Sequence, residues 1–314
     1  MELLKPRPLM PGDRIGIVAT SSPITAAELD RLGARLGDRG YSVRVADGVL
    51  DRDGYLAGSA GRRAAGIAQM FADPEIALVM PASGGTGASH LVDLLDYTVI
   101  RVHPKLFTGF SNPSVLNNSI LAAAGLPSVH GISGFQFFGW PNPDEPTESA
   151  FWRMVSGPIA GLEVSGAGWR VYRAASPSVS GPVVGGNLWE LAALAGTRWM
   201  PSTSGAIVLV ESVDTTFEEV DRLLTHLRLA GVFRGIAALV VGAPADWPAG
   251  DAPDQSSDEL VLRCVSGEFP VITGVGFGHQ QRKIHFPVGC RVEFELSGQR
   301  PVLRYLEDLI KPWR

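Results

Sequence analysis

Cysteine is scarce in this sequence, and no group of residues has the spacing of a metal site. The two cysteines, Cys264 and Cys290, are isolated and lack Cys-x-x-Cys spacing, so we expect buried free thiols in a reducing compartment. His279 and His285 do not have the His-Glu-x-x-His spacing of zinc proteases. The sequence therefore predicts neither a disulfide nor a bound metal ion.

Long hydrophobic runs and basic clusters are also absent. The longest apolar run, around 236–245, is far shorter than the about 20 residues that span a bilayer. The first eight residues carry an acid and two prolines where a signal peptide would have a basic start and an apolar centre. The net charge of −5 disfavours nucleic acid and anionic membranes as partners. We therefore expect a cytoplasmic protein.

Two glycine-rich stretches lack the features of nucleotide-binding loops. Gly274-Val-Gly-Phe-Gly278 has the wrong spacing for a dinucleotide loop, and no helical pattern follows it. Ser83-Gly-Gly-Thr-Gly87 lacks the Gly-Lys-Ser/Thr of a P-loop. Neither stretch indicates a nucleotide cofactor.

The first 140 residues alternate between strand and helix patterns. Such alternation predicts an α/β fold with a parallel sheet covered on both faces, and a chain of 314 residues favours about two domains. Strands are predicted over 14–20, 41–46, 76–80 and 106–110, and helices over 25–40, 62–71 and 89–95.

The character of the sequence changes at residue 141. Proline, glycine and serine interrupt 141–180 except for a short helical segment near Phe151, so this segment is interpreted as a linker between domains 1–140 and 181–314. The second domain is expected to mix α and β. Its predicted helices start at 188 and 217, and its predicted strands lie at 207–210, 236–241, 271–277, 291–296 and 301–306.

Three chemically useful side chains stand at the ends of predicted strands. Ser111 lies where a strand turns sharply into a helix, which would expose its hydroxyl beside free backbone N–H groups. Glu211 and His279 end two further strands, so a nucleophile, a base and an orienting carboxylate could converge. The alternative is that Ser111 or Asn112 only caps the helix. The remaining histidines are interpreted as structural or surface residues: His90, His103, His130, His226 and His285.

Several short motifs that include these residues occur together along nearly the whole chain. They are Tyr55–Gly58, Phe71–Pro74, Ser83–Gly87, Leu91–Tyr97, Thr108–Asn112, Gly185–Leu188, Val210–Glu211, Asp221–Gly231, Gly278–His279 and Phe286–Gly289. In combination they resemble the LD-carboxypeptidase family of serine peptidases, which also contains the microcin C immunity peptidases.

The resemblance implies a Ser–Glu–His triad formed by Ser111, Glu211 and His279. It further implies an N-terminal domain like that of class I glutamine amidotransferases, with a flavodoxin-like parallel sheet. It also implies a smaller C-terminal domain, a site between the two domains and commonly a homodimer. Such a triad hydrolyses an amide by general acid–base and nucleophilic catalysis and needs no cofactor. The substrate expected is a small peptide or a peptide–nucleotide conjugate.

The oxyanion that forms during hydrolysis is expected to be held by backbone N–H groups. Those of Gly85 and Asn112 are the candidates, and glycine at Gly84 and Gly85 lets the main chain approach the substrate closely. Asn112 replaces an aspartate that is usual in the family. Because Asn and Asp are nearly equal as helix caps, the sequence predicts that Asn112→Asp changes kcat/KM by less than about tenfold.

Two substrate classes fit the motifs, and a non-catalytic binding protein is a third alternative. His90 stands where murein enzymes often have arginine, whereas Leu94–Tyr97, Arg198–Pro201 and Lys311–Trp313 look more like the microcin-immunity branch. Inactivation of an aminoacyl-nucleotide toxin is therefore slightly favoured over murein tetrapeptide trimming. The aromatic residues Phe135, Phe137, Phe138 and Trp140 would suit a nucleobase, although such clusters are more often core.

Overall fold

The computed structural model describes residues 2–139, 143–245, 247–249, 254–298 and 300–312. Its first half alternates strands and helices as predicted. The strands are β1 (Arg14–Val18), β2 (Ser42–Val45), β3 (Ile76–Pro81), β4 (Leu106–Gly109) and β5 (Ser128–His130). The helices are α1 (Ala26–Asp38), α2 (Ala60–Ala72), α3 (Tyr97–Val102), α4 (Ser114–Ala124), α5 (Gly134–Phe138) and α6 (Glu145–Ser156).

The second half mixes parallel and antiparallel strands. The strands are β6 (Glu163–Ser165), β7 (Arg170–Tyr172), β8 (Ser178–Asn187), β9 (Ile207–Glu211), β10 (Ala238–Gly242), β11 (Val271–Val275), β12 (Phe286–Val288), β13 (Arg291–Glu295) and β14 (Val302–Tyr305). The helices are α7 (Leu188–Leu194), α8 (Phe217–Leu229) and α9 (Ser257–Cys264).

One strand joins the sheets of the two halves. The main sheet has the order β2-β1-β3-β4-β5-β12-β8-β9-β10-β11-β7. Strand β12 pairs antiparallel with β5 and parallel with β8, while β4, β9 and β11 all belong to parallel pairs. Glu211 is the last residue of β9, and Ser111 and His279 follow the carboxyl ends of β4 and β11. The mixed α/β fold class is therefore confirmed. Strands β9 and β11 flank β10, whereas β5, β12 and β8 separate β4 from β9.

Segment 141–180, which the sequence indicates as a linker, contains regular structure where it is described. Helix α6 starts after Asp144, whose carboxylate accepts a hydrogen bond from the Thr147 backbone amide at 3.0 Å. Strand β6 pairs with β14, and β7 pairs with β11. Residues 140–142 lie outside the described part of the chain. The division at 1–140 and 181–314 stays a prediction.

The helix predicted over 89–95 is wrong. Gly87 has a φ of 113°, and only a single 3-10 turn, Ala88–Leu91, follows it. The chain then starts α3 at Tyr97, because the Asp96 carboxylate accepts hydrogen bonds from the backbone amides of Thr98 and Val99 at 3.0 Å. An Asp cap of this kind outweighs the weak apolar periodicity that suggested the earlier helix.

No helix in the described ranges is long and apolar enough to cross a membrane.

Cys264 and Cys290 are both buried free thiols. Burial raises the pKa of the Cys264 thiol to about 11 and that of the Cys290 thiol to about 12. Both thiols are therefore neutral at physiological pH.

Two histidines are buried where β5 meets β12. His130 is paired with Phe286 across this junction, and His285 precedes it. Burial lowers the pKa of each imidazole to about 4. Within the described residues, neither ring nitrogen of His130 has a hydrogen-bond partner, whereas Nε2 of His285 lies 2.8 Å from the Thr147 carbonyl oxygen.

These histidines predict a loss of stability in mild acid. In the unfolded chain each titrates near 6.5, so the unfolded state binds more protons than the folded state between about pH 6.5 and 4. We expect the free energy of unfolding to fall as pH decreases through this window, by at most about 3 kcal/mol per histidine. In urea titrations, His285→Gln should flatten the pH dependence and His226→Gln, on the surface, should not. An unchanged slope in His285→Gln would contradict this origin.

Candidate active site

Ser111 occupies a strained turn directly after β4. It is one of three described non-glycine residues with a positive φ, at 61°, a region that disfavours L-residues. Helix α4 starts at Ser114 behind Pro113, and no side chain caps it. The helix-cap alternative for Ser111 and Asn112 is therefore wrong, and the turn instead projects the Ser111 hydroxyl towards the second half of the chain.

The structure brings the three predicted triad residues into one hydrogen-bonded chain. Nε2 of His279 lies 3.1 Å from Oγ of Ser111, and Nδ1 of His279 lies 2.7 Å from Oε2 of Glu211. Glu211 is buried, and the His279 side chain is 15% exposed. The arrangement presents a hydroxyl, an imidazole and a carboxylate in the order required for general-base activation of an alcohol.

Glu211 is kept ionised by its hydrogen bonds. Burial alone would raise the pKa of this carboxyl group, but the hydrogen bond and charge of His279 outweigh it, and the pKa lies below its usual value. Asn187 adds a second donor, since its Nδ2 lies 3.2 Å from Oε1 of Glu211. The sequence stretch Gly185–Leu188 was identified as a motif, but nothing in it indicated this contact.

Gly278 allows the close packing of His279 and Glu211. Its φ is 85°, and a methyl group built on its Cα would overlap the carboxylate of Glu211. On the other side, the ring of His279 lies 4.6 Å from that of Phe110. A side chain at 278 would therefore displace the carboxylate that holds the imidazole.

Gly278→Ala is expected to lower kcat by about 100-fold or more, because separation of Glu211 from Nδ1 removes the control of tautomer and orientation. The matched control is Gly276→Ala, whose added methyl group would meet only the Arg282 carbonyl oxygen, at 3.9 Å. Steady-state kinetics of both variants checks this. An equal loss of kcat in the two variants would show that any added methyl group disturbs this loop, and would contradict a specific effect on the Glu211–His279 contact.

The glycine loop 83–87 lies against the nucleophile turn. The backbone amide of Ala88 donates to Oδ1 of Asn112 at 2.8 Å, and the amide of Ser22 donates to the Gly84 carbonyl oxygen at 3.2 Å. Gly85 has a φ of 109° and packs against Ser22. Among the described residues, the amides of Gly85 and Asn112 make no hydrogen bond.

The Asn112 side chain has partners that the sequence did not reveal. Its Nδ2 donates to Oε1 of Glu190 at 2.6 Å, while its Oδ1 accepts from Ala88. Burial raises the pKa of the Glu190 carboxyl group to about 7, and the Asn112 hydrogen bond opposes this rise. Asn112 therefore joins the glycine loop to α7 instead of capping α4, and the cap argument for a mild Asn112→Asp does not hold.

A buried lysine lies beside the site. The Nζ of Lys283 is 4.0 Å from the ring centroid of Phe110, the residue that precedes Ser111, and Lys283 is 5% exposed. Burial lowers the pKa of its ammonium group to about 8, although the charge of Glu211 raises it. Within the described residues this ammonium group donates no hydrogen bond.

The aromatic residues considered for a nucleobase lie mainly in the core. Phe137 and Phe138 are both 2% exposed, and Arg31 covers the ring of Phe135. Trp140 lies outside the described residues. No group of three or more potential metal ligands occurs among the residues that the structure describes.

Comparison with known proteins identifies the family. The LD-carboxypeptidase N-terminal domain matches residues 15–131, and the LD-carboxypeptidase C-terminal domain matches residues 180–294. A putative carboxypeptidase of Streptomyces coelicolor is 30% identical over 96% of this chain and 98% of the relative. A probable murein peptide carboxypeptidase of Bacillus subtilis is 27% identical over 95% of this chain and 94% of the relative.

A solved structure shares the fold over the whole chain. The microcin C7 self-immunity protein MccF, in complex with aspartyl sulfamoyl adenosine, superposes with a TM-score of 0.88. The sequences are 24% identical, and the match covers 98% of this chain and 100% of MccF. The family resemblance is thus confirmed. The chain belongs to the LD-carboxypeptidase family and is a serine-type carboxypeptidase.

Proposed function

We propose that Ser111, His279 and Glu211 form the catalytic triad of this carboxypeptidase. The observation that supports the proposal is the continuous chain of contacts, 3.1 Å from Ser111 to His279 and 2.7 Å from His279 to Glu211. Burial of an ionised carboxylate costs free energy unless a hydrogen-bonded or charged partner compensates for it, and His279 is such a partner of Glu211. The same chain disfavours a non-catalytic binding protein.

In the proposed reaction, Oγ of Ser111 attacks the amide carbonyl carbon while Nε2 of His279 takes the hydroxyl proton. The C–N bond then breaks, and the imidazolium returns the proton to the leaving amine. Water attacks the resulting ester by the same route and regenerates the serine. Glu211 accepts the Nδ1–H of His279 and stabilises its positive charge. The amides of Gly85 and Asn112 are proposed to hold the oxyanion.

For the substrate, we propose a small peptide with a free terminal carboxylate, such as a murein tetrapeptide. A carboxypeptidase must hold a carboxylate about one residue away from the bond that it cuts, and charged hydrogen bonds serve this purpose best. Lys283 places an ammonium group without a protein acceptor, among the described residues, beside Phe110 and the triad. The relative from Bacillus subtilis is likewise named a murein peptide carboxypeptidase.

An aminoacyl-nucleotide conjugate is the second candidate. MccF is seen with aspartyl sulfamoyl adenosine, and Trp189 offers an exposed aromatic ring at the start of α7. The Trp189 side chain donates to Oγ1 of Thr215 at 3.3 Å and is 44% exposed, so a base could stack on it.

Incubation with a murein tetrapeptide and with an aspartyl sulfamoyl adenosine tests the substrate. We expect release of the terminal amino acid from the tetrapeptide, with Lys283→Met raising its KM about tenfold or more. Trp189→Ala should leave this KM nearly unchanged. Cleavage of the nucleotide conjugate alone, weakened by Trp189→Ala, would support the second candidate and contradict the first.

We also propose that the protein acts in the cytoplasm as a homodimer, as the family resemblance implies. Light scattering of the purified chain and fractionation of expressing cells test the two statements separately. A monomer, or activity outside the cytoplasm, would overturn the corresponding one.

A further inference from the structure

One side chain ties three parts of the site together. Asn112 follows Ser111, its Oδ1 accepts from the amide of Ala88 behind the glycine loop, and its Nδ2 donates to Glu190. Asn112 is 4% exposed, so neither of these bonds can be replaced by bulk water without rearrangement. The distance between the nucleophile turn and the glycine loop therefore depends on how this amide is held.

Glu190 is held in place by the start of α7. Asn187, at the N-cap of this helix, donates to Glu211 at 3.2 Å, and its backbone amide donates to Oγ of Ser114 at 3.2 Å. The first turn of α7 thus contacts the triad acid through Asn187 and the residue next to the nucleophile through Glu190.

We propose that Glu190 is a positioning residue that acts through Asn112 to hold the nucleophile turn against the glycine loop. This inference rests on the proposed function, because it assumes that Ser111 attacks and that the loop amides receive the oxyanion. Glu190 touches Asn112 and is not required to touch the substrate. Its effect should appear in kcat much more than in KM, since the oxyanion contact is strongest in the transition state.

The hydrogen bond between Asn112 and Glu190 has a fixed donor and a fixed acceptor. Ala88 requires an acceptor at the Oδ1 position of residue 112, which turns the donor Nδ2 towards residue 190. Asn112→Asp would place a second carboxyl oxygen at the 2.6 Å contact, where the two groups repel unless they share a proton, so the variants are compared at about pH 9. A glutamine at 190 can either accept from Asn112 or donate to an aspartate at 112. An amide at one position and a carboxyl group at the other should therefore form the contact, whichever of the two positions carries the amide.

Four variants of the full chain test the proposal: Glu190→Gln, Glu190→Ala, Asn112→Asp and the double variant Asn112→Asp/Glu190→Gln. We expect Glu190→Gln to stay within about threefold of wild-type kcat, and Glu190→Ala to lose about tenfold with little change in KM. Asn112→Asp should lose about 30-fold or more, and the double variant should return to within about fivefold of wild type.

The split between kcat and KM, measured well below the melting temperature of each variant, distinguishes positioning from a loss of structure, and the rescue shows that the loss arises at this pair of residues. A double variant no better than Asn112→Asp, or a Glu190→Ala variant with full kcat, would overturn the proposal. Melting temperatures give a second readout that does not need a substrate. They should follow the same order, with Asn112→Asp lowest and the double variant restored. If the wild type cuts neither substrate, the proposed function fails, while the melting temperatures still decide whether the pair forms.

Discussion

Ser111→Ala is expected to abolish hydrolysis, with a loss of about 10⁴-fold or more in kcat and a melting temperature within a few degrees of wild type. The hydroxyl that would attack is 3.1 Å from Nε2 of His279, and no other described side chain is seen to hydrogen-bond to that nitrogen. Replacement by alanine removes one oxygen without adding volume. Single-turnover assays on the cleaved substrate, combined with thermal unfolding, measure both quantities.

Ser114→Ala is the matched control for this prediction. Ser114 is buried one turn away, and its Oγ accepts a hydrogen bond from the Asn187 amide at 3.2 Å. Its removal should weaken the support of Asn187 and cost far less than the loss of Ser111. If Ser111→Ala stayed active while Ser114→Ala did not, Ser114 would be the nucleophile.

His279→Ala should be as damaging as Ser111→Ala, because the hydroxyl is a weak nucleophile without its base. The double variant Ser111→Ala/His279→Ala should be hardly slower than either single variant, since residues that act as one unit lose their function together. Kinetics of the three variants on one substrate check the prediction. Additive losses would show that the two residues contribute independently and would contradict a shared triad.

The control for the base is His285→Ala. This imidazole is buried at the β5–β12 junction, and a methyl group on Gly131 would overlap it, so its removal leaves a cavity. We expect a loss of stability of about 2–4 kcal/mol and only a mild change in kcat when the assay is run well below the melting temperature. A loss comparable to that of His279→Ala would indicate that the second histidine takes part in catalysis.

The strand ends could be predicted from local patterns. A short apolar run before Ser111, another before Glu211 and a third before His279 each indicated a buried strand. Parallel pairing brings the carboxyl ends of β9 and β11 to one edge, but β4 belongs to the other parallel set, so strand patterns alone do not bring Ser111 to the other two residues. The motif resemblance added that the three residues meet. Because both signals depend on neighbours in the sequence, they were available without a structure.

The supporting contacts could not be predicted, because they join residues far apart in the chain. Asn112 contacts Glu190, and Asn187 contacts Glu211. No periodicity encodes such pairs. The burial of Phe137 and Phe138 could not be predicted either, because an aromatic cluster on a short helix has the same sequence whether it packs into the core or binds a base.

Strand β12 has a consequence for how the protein is made. During synthesis, β5 leaves the ribosome long before β12 at 286–288, so the nascent N-terminal half exposes an unpaired strand edge until β12 has been made. His279 also emerges late, so with the proposed triad a chain that ends before residue 279 is expected to be inactive. We expect fragment 1–175, which ends in the loop before β8, to aggregate when it is expressed alone, and co-expression of fragment 176–314 to restore soluble, active complex by supplying β12 in trans. A soluble, monomeric 1–175 fragment would show that this edge is protected in another way.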